Sequence, residues 1–464
     1  MASACELRRG YHQIVIAVVG GGITGLAAAY ELTERRVPFQ LFESSARLGG
    51  IIRTEHVDGF TIEAGPDSIL AQKPAAIGLC EAIGLGPRLI TTTPPRTAFI
   101  LNAGRLHALP SPSVLGIPTT WSGVLHYDLL SPRARVRLAL ERIMPRRVTD
   151  QDESVGAFFR RRFGDETVKA IAEPLLGGIH AGDIEALSIR SLFPRFVEAE
   201  SQRGSVLQTF AQPRSLSSGQ FRSLLGGMEE MVAALEHRLP AGSVRRSCAV
   251  ESISPGREGW TVMSAGEAIH AQAVLLACPA HVAATLLRPL DARASDLCAE
   301  VPYVSTVSIA LAWPRPAVAH PLHGSGFVVA RESNSLRVTA CTWVSSKWNR
   351  RAPAGTVLIR AYVGGSHDPS AVDLNDDELV DLARRELGPI LGVTRPPQLA
   401  RVYRWRKAGA QHNVGQIARV AEIERRLGAL GGLFVAGSGF RSVGIPDCVA
   451  DGRAAAAAAC GTIA

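Results

Sequence analysis

A short apolar run that leads into a glycine-rich turn is the feature that most constrains the fold of this chain. Residues 14–19 are all apolar, which is typical of a parallel strand buried on both faces. Gly20, Gly22 and Gly25 then form G-x-G-x-x-G, followed by apolar residues at helical spacing and a second strand-like run that ends at Glu43. This order predicts a βαβ unit that binds a dinucleotide.

Each part of this unit has a physical role in holding a dinucleotide. The three glycines permit a tight turn, a close approach of the pyrophosphate and close packing of the helix, whose N-terminus attracts the phosphates. Glu43 lies 23 positions after Gly20, where a carboxylate accepts hydrogen bonds from ribose hydroxyls. We therefore expect dinucleotide contacts from Gly20, Gly21, Gly22, Ile23, Thr24, Gly25, Glu43 and Ser44.

Composition indicates a folded chain of several domains. The 464 residues suffice for two or three domains, and 46% apolar with 20% charged residues excludes a disordered, collagenous or coiled-coil chain. The net charge of +8 favours anionic partners only weakly, and we expect no nucleic-acid partner. The eight cysteines are scattered, so we expect reduced thiols and no metal site. No apolar run has the length of a signal peptide or a membrane span, which predicts a cytoplasmic protein; the oligomeric state stays open.

Two segments after Glu43 favour FAD over NAD. Arg47 and the pair Gly49-Gly50 follow the second strand, and Gly65-Pro66-Asp67-Ser68 comes soon after. This pattern resembles the FAD-binding part of the flavin amine oxidase superfamily, in which Arg-x-Gly-Gly lies near the pyrophosphate and the next glycine-rich segment near the flavin. The resemblance implies FAD contacts from Arg47, Gly49, Gly50, Gly65, Pro66, Asp67 and Ser68.

The C-terminal region supplies a third cofactor segment. Residues 433–436 read as a strand, and a helix is expected over about 446–459, because Pro446 suits the first helical position and an alanine run follows. The amides of Val443, Gly444 and Ile445 would then face the flavin pyrimidine, where the helix dipole stabilises negative charge. The alternative is a helix that closes the sheet and contacts no ligand.

The order of these segments predicts an α/β protein with α+β insertions. A Rossmann-like FAD-binding domain is assigned to residues 1–72, 222–290 and 425–464. A substrate domain with an antiparallel sheet is assigned to 73–95 and 291–424, because alternating apolar runs recur there. Residues 96–221 are predicted to form an inserted helical domain.

One stretch of the helical domain is strongly basic. Residues 131–148 contain six arginines against Glu141 alone, with apolar residues interleaved. Such a helix either lies on a membrane surface or presents a solvated basic face. The sequence leaves both possibilities open.

Motifs in the middle and at the end of the chain are more specific. The segments 104–110, 173–183 and 444–448 read GRLHALP, EPLLGGIHAGD and GIPDC. They resemble the oxygen-dependent porphyrinogen oxidase family, and most closely its bacterial branch acting on coproporphyrinogen III, with protoporphyrinogen IX as the alternative substrate. The resemblance implies a six-electron oxidation in haem biosynthesis. The resemblance further implies that hydride passes from a meso carbon to flavin N5 and that dioxygen is reduced to peroxide.

The resemblance also implies roles for single residues in a porphyrinogen site. Arg96 matches a residue that binds a propionate, and Lys73 is a second candidate. Gly178 matches a carbonyl that meets the pyrrole N–H groups. The pair Val328 and Trp343 matches residues that sandwich a pyrrole ring, with Tyr362 across the ring. Further matched positions against the FAD are Val250 and Trp405.

Three positions depart from the family pattern. His180 and His412 stand where relatives usually have tyrosine, and Ser442 where they have glycine. His180 is either a base or a structural histidine with its hydrogen bonds satisfied. Two rival interpretations remain: an amine or carotenoid oxidoreductase of the same superfamily, and an escort protein of this architecture without flavin catalysis.

Overall fold

The computed structural model describes residues 14–147, 149, 151–211, 219–331, 335–441 and 443–463. The strands in these residues are β1 (Ile14–Val19), β2 (Phe39–Phe42), β3 (Thr54–Val57), β4 (Phe60–Glu63), β5 (Ile69–Leu70), β6 (Leu89–Thr91), β7 (Ala98–Asn102), β8 (Arg105–Ala108), β9 (Ser113–Val114), β10 (Ile117–Pro118), β11 (Phe221–Leu224), β12 (Val244–Arg245), β13 (Val250–Gly256), β14 (Gly259–Ser264), β15 (Glu267–Leu276), β16 (Tyr303–Pro314), β17 (Gly326–Val329), β18 (Ala340–Thr342), β19 (Thr356–Gly364), β20 (Leu399–Ala410) and β21 (Leu433–Val435).

The α-helices in the same residues are α1 (Ile23–Glu34), α2 (Ala75–Ala82), α3 (Trp121–Leu125), α4 (Pro132–Ala139), α5 (Val155–Phe163), α6 (Asp165–Thr167), α7 (Gly178–His180), α8 (Ile189–Leu192), α9 (Pro194–Arg203), α10 (Val206–Phe210), α11 (Glu229–Arg238), α12 (Ala280–Leu287), α13 (Ala292–Ala299), α14 (Val344–Lys347), α15 (Asp376–Leu391), α16 (Gln416–Leu430) and α17 (Ile445–Ile463). A π-helix spans Val168–Gly177. Short 3₁₀ turns occupy Gly86–Arg88, Leu140–Ile143, Arg315–Ala317 and Pro369–Asp373.

The first sheet confirms the predicted βαβ unit. Its strand order is β12-β2-β1-β15-β14-β13, with β21 also on β15, and β1 runs parallel to β2 and β15. Ile16, Ala17 and Val18 are fully buried, as a central parallel strand requires. The C-terminal helix is confirmed as α17, which packs against α1. Gly452 allows this packing, because a Cβ there would lie 2.2 Å from the Thr24 carbonyl oxygen. The N-terminal βαβ unit and the C-terminal helix therefore pack against each other.

The second sheet confirms the predicted antiparallel strands. Its order is β20-β16-β19-β18-β17-β7-β8, and the pairing of β17 with β7 is parallel. β7 and β8 come from the stretch assigned by sequence to the helical domain, so that stretch contributes to this sheet. The outer face packs against α15 through an apolar core. The inner face packs through Val328 and Ala330 against the helices α3–α10, which we call the helical region, and through Ala310 and Leu358 against β4.

The helical region is built around aromatic side chains and one buried ion pair. Phe158, Phe159 and Phe196 pack together at centroid distances of 5.4–6.1 Å. Arg162 and Glu141 are both fully buried and bind each other. Glu141 also accepts hydrogen bonds from Ser205 Oγ and from the amides of residues 206 and 207. In the part of the chain that the structure describes, no helix combines the length and apolar character needed to cross a bilayer.

Candidate active site

The glycine turn after β1 forms an open cradle at the N-terminus of α1. Gly20 has φ +109°, and a Cβ on Gly25 would lie 1.9 Å from the Gly20 carbonyl oxygen, so both positions require glycine. A Cβ on Gly22 would meet no described atom within 4 Å. No described side chain caps α1, so its first amides point into this space. The turn can hold a phosphate.

Glu43 ties the end of β2 to this turn. Its Oε2 accepts the Gly21 amide at 2.7 Å, and its Oε1 accepts the Ser45 amide at 2.7 Å and Ser44 Oγ at 3.3 Å. An ionised carboxylate offers about four acceptor positions, so room is left for a hydroxyl donor. The arrangement fits a ribose.

The Arg-x-Gly-Gly loop lies directly beside the turn. The Gly49 amide donates to the Gly21 carbonyl at 2.8 Å. The Arg47 guanidinium donates to the carbonyls of Leu48 at 3.1 Å, Ile52 at 3.0 Å and Gly50. Burial lowers the pKa of Arg47. Arg47 thus holds the shape of its own loop, which places Gly50 next to Gly22.

The segment from Gly65 to Ser68 contacts both the loop after β2 and strand β20 of the second sheet. A Cβ on Gly65 would lie 1.9 Å from the Ile51 carbonyl oxygen, and Trp405 Nε1 donates to the Ala64 carbonyl at 2.8 Å, which brings its indole against Gly65. Asp67 Oδ2 lies 2.9 Å from Lys347 Nζ, and Ser68 Oγ donates to Asp67 at 2.8 Å. Although burial opposes it, Lys347 together with Arg360 holds the pKa of Asp67 far below its usual range. The Asp67 side chain is therefore an ionised member of a buried cluster.

Four more predicted cofactor positions lie on other elements of the fold. Val250 begins β13, just after Cys248, whose amide donates to the Glu43 carbonyl at 2.9 Å. At the other end of the chain, Val443 and Gly444 precede the first residue of α17, Ile445. Ser442 lies outside the described residues. The cradle and Glu43 fit the pyrophosphate and ribose of an FAD, and Gly452 of α17 packs against Thr24 in the first turn of α1.

The inner face of the second sheet carries part of the predicted substrate site. Strand register aligns Val328 with Ala340, Ala340 with Tyr362, and Tyr362 with Ser308, so these side chains share one face. Trp405 lies on the same face. Val328, Tyr362 and Trp405 are half-buried, which leaves part of each side chain free to contact a ligand.

Trp343 does not join this face, and the predicted sandwich with Val328 is wrong. Trp343 is 0% exposed and packs in the outer core, 5.5 Å from the Phe99 ring and 6.4 Å from the Phe327 ring between centroids. Val328 packs toward the helical region on the opposite side. Because side chains alternate along a strand, the faces follow from pairing register and not from residue type.

The two predicted cations have different surroundings. Arg96 is exposed; its Nε donates to the Thr92 carbonyl at 3.1 Å and Thr92 Oγ1 at 3.0 Å, and its terminal nitrogens have no partner among the described residues. Lys73 Nζ lies 2.6 Å from Asp447 Oδ2, in the first turn of α17. Arg96 is thus available to an anion, whereas Lys73 is shared with a carboxylate.

Gly178 follows the π-helix directly and is exposed. A Cβ there would meet no described atom within 4 Å, so the glycine faces open space. The neighbouring Ile179 side chain is also exposed. π-Helical segments are rare and occur often at functional sites.

The two unusual histidines have different environments. His412 is 1% exposed; its Nε2 lies 2.9 Å from the Ser438 carbonyl oxygen, and its Nδ1 lies 3.0 Å from Ser191 Oγ. Because a carbonyl only accepts, Nε2 carries the proton and His412 is satisfied. Burial, His412 and Lys73 lower the pKa of His180 to about 4, and its ring packs edge-on to Phe193. His180 is therefore neutral at pH 7.

Sequence reasoning missed Arg360, a buried cation that contacts Tyr362 and the Gly65 carbonyl. The signal was a single arginine in the otherwise apolar run of β19. Among the described residues, no group of three His, Cys, Asp or Glu side chains has the arrangement of a metal site.

Comparisons with known proteins agree with this geometry. The model of the family described as flavin containing amine oxidoreductase matches residues 23–460. Coproporphyrinogen III oxidase from Bacillus subtilis is 35% identical, over 95% of this chain and 96% of the relative. The enzyme of that name from Staphylococcus aureus is 32% identical, over 95% and 98%.

Solved structures show the same fold. A crystal structure from Exiguobacterium, provisionally named a protoporphyrinogen oxidase, superposes with a TM-score of 0.86 at 33% identity and covers 97% of this chain and 99% of its own. A putrescine oxidase superposes with a TM-score of 0.71 at 18% identity, covers 97% of this chain and 99% of its own, and shares the fold alone. The chain therefore belongs to the flavin containing amine oxidoreductase family, and it is an FAD-dependent oxidoreductase related along nearly its whole length to coproporphyrinogen III oxidases.

Proposed function

We propose that this protein oxidises coproporphyrinogen III to coproporphyrin III and uses dioxygen as the final acceptor. The observation that carries the proposal is the 32–35% identity, over 94–95% of this chain, to relatives that bear this name. The inner sheet face supports it, since an aromatic and apolar wall of Val328 and Tyr362 suits a large macrocycle. The exposed guanidinium of Arg96 suits the propionate carboxylates of this macrocycle.

FAD, when bound, supplies the two-electron acceptor that the six-electron oxidation needs three times. The chain's own residues bind and orient the substrate. Arg96 and Lys73 pair with propionates, the Gly178 carbonyl accepts from the pyrrole N–H groups, and Val328 and Tyr362 hold the ring plane. Hydride removal requires no protein nucleophile, and neutral His180 supplies no charge to the site.

The cofactor is assigned to the backbone-rich half of the site. The N-terminus of α1 would hold the pyrophosphate and Glu43 the ribose. The amides of Val443, Gly444 and Ile445 would lie at the pyrimidine, where the α17 dipole favours negative charge. Arg47 would act through the loop it shapes, and Val250 and Trp405 would pack against the cofactor.

An aerobic assay of porphyrin fluorescence tests this function. The FAD-loaded protein is given coproporphyrinogen III and protoporphyrinogen IX side by side, with autoxidation subtracted. We expect a higher kcat/KM for the first substrate. A clear preference for the second would assign the protein to protoporphyrinogen IX, and rates equal to the blank for both would overturn the porphyrinogen proposal.

We further infer that the basic helical stretch rests on an anionic lipid surface. Arg142 lies 4.3 Å from the ring of Trp121, and Glu141 is buried against Arg162, so Glu141 does not neutralise the arginines of this surface. Of these arginines, Arg147 pairs with Glu153 at 2.9 Å. The exposed apolar side chains of the same surface are Trp121, Leu125, Val136, Leu140 and Ile143.

Vesicle sedimentation tests the lipid contact. The protein should sediment with vesicles containing phosphatidylglycerol and stay in solution with pure phosphatidylcholine. Ile143→Asp should abolish sedimentation, whereas Val282→Asp, at an exposed apolar residue elsewhere, should not. Equal behaviour of the two variants would contradict the inference.

A further inference from the structure

Arg360 is a cation buried in a strand of apolar residues. It is 4% exposed, and its pairing with Ala310 and Thr342 puts its side chain on the inner face of the sheet. A buried charge is stable only when it is paired and hydrogen-bonded. Its partners therefore indicate why an arginine stands at this position.

Three of these partners belong to the segment that carries Gly65. Arg360 Nη1 donates to the carbonyl oxygens of Glu63 at 2.5 Å and Gly65 at 2.8 Å, and Nη2 lies 3.7 Å from Asp67 Oδ2. Asp67 is ionised, as described above. The guanidinium is consequently fixed in direction by groups that belong to the protein core.

The fourth partner is the hydroxyl of Tyr362. Arg360 Nε donates to Tyr362 Oη at 2.6 Å, a charge-assisted hydrogen bond. Burial raises the pKa of Tyr362, so its phenol keeps the proton at neutral pH. Since the oxygen accepts from Arg360, the single hydroxyl hydrogen points away from the guanidinium.

That hydrogen has no acceptor at normal distance among the described residues. The nearest is Thr342 Oγ1 at 3.5 Å, beyond the usual 2.5–3.0 Å of an O–H···O bond. A hydroxyl that accepts from a cation is polarised and becomes a stronger donor. Tyr362 is half-buried on the face it shares with Val328 and Trp405, where a bound molecule would meet it.

We propose that Arg360 and Tyr362 form a two-bond relay that presents one O–H donor to an acceptor oxygen of a bound molecule. Arg360 is the positioning residue that sets the direction of this donor. The chemistry recognised is a carboxylate or carbonyl oxygen, which either the substrate's propionates or the flavin ring can supply. A pyrrole N–H is itself a donor and does not fit. The substrate source rests on the proposed function.

Tyr362→Phe, which removes only the hydroxyl, distinguishes the two sources. We would measure the affinity for coproporphyrin III by fluorescence quenching, and the FAD dissociation constant with the flavin absorption spectrum. If the acceptor is a propionate, coproporphyrin III binds about ten-fold more weakly and FAD binding is unchanged. If the acceptor is on the flavin, FAD binds about ten-fold more weakly and its absorption bands shift. Changes below two-fold in both overturn the relay.

Thr342→Val is the matched control, because it removes the hydroxyl 3.5 Å from Tyr362 Oη and keeps the side-chain shape. We expect both affinities to stay within two-fold of the wild type. If Thr342→Val reproduces the loss seen in Tyr362→Phe, Thr342 is the acceptor and the proposal fails.

Arg360→Lys, made alone and in the Tyr362→Phe background, tests the positioning role. Lysine keeps the charge but cannot hold four partners at once. If Arg360 acts through Tyr362, Arg360→Lys made as a single substitution weakens the same binding that Tyr362→Phe weakens. Added to Tyr362→Phe, which has already removed the hydroxyl, Arg360→Lys changes that binding by less than two-fold. Equal losses in both backgrounds would make Arg360 merely structural. If Arg360→Lys does not fold, Tyr362→Phe and Thr342→Val still decide whether the hydroxyl donates.

These measurements keep the relay separate from the proposed function. A wild-type protein that turns over no porphyrinogen overturns the proposed function, while the binding constants for FAD and coproporphyrin III still test the relay. A wild-type protein that is active, with unchanged affinities in Tyr362→Phe, overturns the relay alone.

Discussion

The part of the candidate site assigned to the cofactor is formed mainly by backbone, whereas the sheet face assigned to the substrate is formed by side chains. At the turn after β1, Gly25 packs against the Gly20 carbonyl, and none of the described side chains caps α1. On the inner sheet face, the candidate substrate site depends on which side chains of five strands are aligned. A backbone site is specified by a short motif, but a sheet face is specified only by register.

The largest expected effect is in the backbone half. Gly25→Ala puts a Cβ 1.9 Å from the Gly20 carbonyl oxygen, so the turn must move, and we expect FAD affinity to fall by about 100-fold or more. Flavin absorbance of the purified protein and titration with FAD measure this. Gly428→Ala in α16 is the control, since no described atom lies within 4 Å of its Cβ. Stoichiometric FAD in Gly25→Ala would contradict the importance of this contact.

Trp343 tests the assignment of sheet faces. Trp343→Ala should lower the free energy of unfolding by about 3–5 kcal/mol, because it empties a fully buried site. Trp343→Phe should leave KM unchanged, whereas Val328→Ala should raise KM and destabilise the fold less. Urea unfolding measures the free energy of unfolding, and steady-state kinetics measure KM. A raised KM for Trp343→Phe at unchanged stability would put Trp343 back in the substrate site.

Arg96 tests whether the open side of the sheet face binds carboxylates. Arg96→Ala should raise KM for coproporphyrinogen III roughly ten-fold, since a hydrogen bond to a charged group contributes about 1.5–3 kcal/mol. Arg385→Ala, at an exposed arginine of α15 on the outer side, should change KM by less than two-fold. An unchanged KM in Arg96→Ala would remove Arg96 from the site.

The smallest effect is expected at the ion pair between Lys73 and the first turn of α17. Asp447→Asn releases Lys73 from its carboxylate partner, and because this ion pair is partly exposed, stability should change by less than about 1 kcal/mol. The freed Lys73 should lower KM about two- to three-fold. Steady-state measurements of KM for Asp447→Asn and for Lys73→Met, made side by side, check this. A raised KM in Asp447→Asn would show that the pair itself, and not Lys73 alone, serves the substrate.

The same contrast explains what the sequence can predict. The βαβ unit, α17 and the family were predictable and are confirmed, because a glycine turn, a helix start and contiguous motifs are local features of the chain. The facing of Trp343 was not, since it depends on the register of β18 with β17 and β19 and on packing against Phe99, which lies far earlier in the chain. Arg360 was missed for a related reason: its partners Gly65 and Asp67 lie nearly 300 residues away. The roles of the individual site residues remain predictions.

His412 has a consequence for the design of hybrid proteins. Its ring is bonded to Ser191 of the helical region and to Ser438 beside α17, while its own backbone follows β20. An exchange of the helical insertion with that of a relative must therefore supply a hydroxyl at the place of Ser191. Without it, a buried ring nitrogen loses its donor. Compatible insertions can be screened for this one group before any chimaera is made.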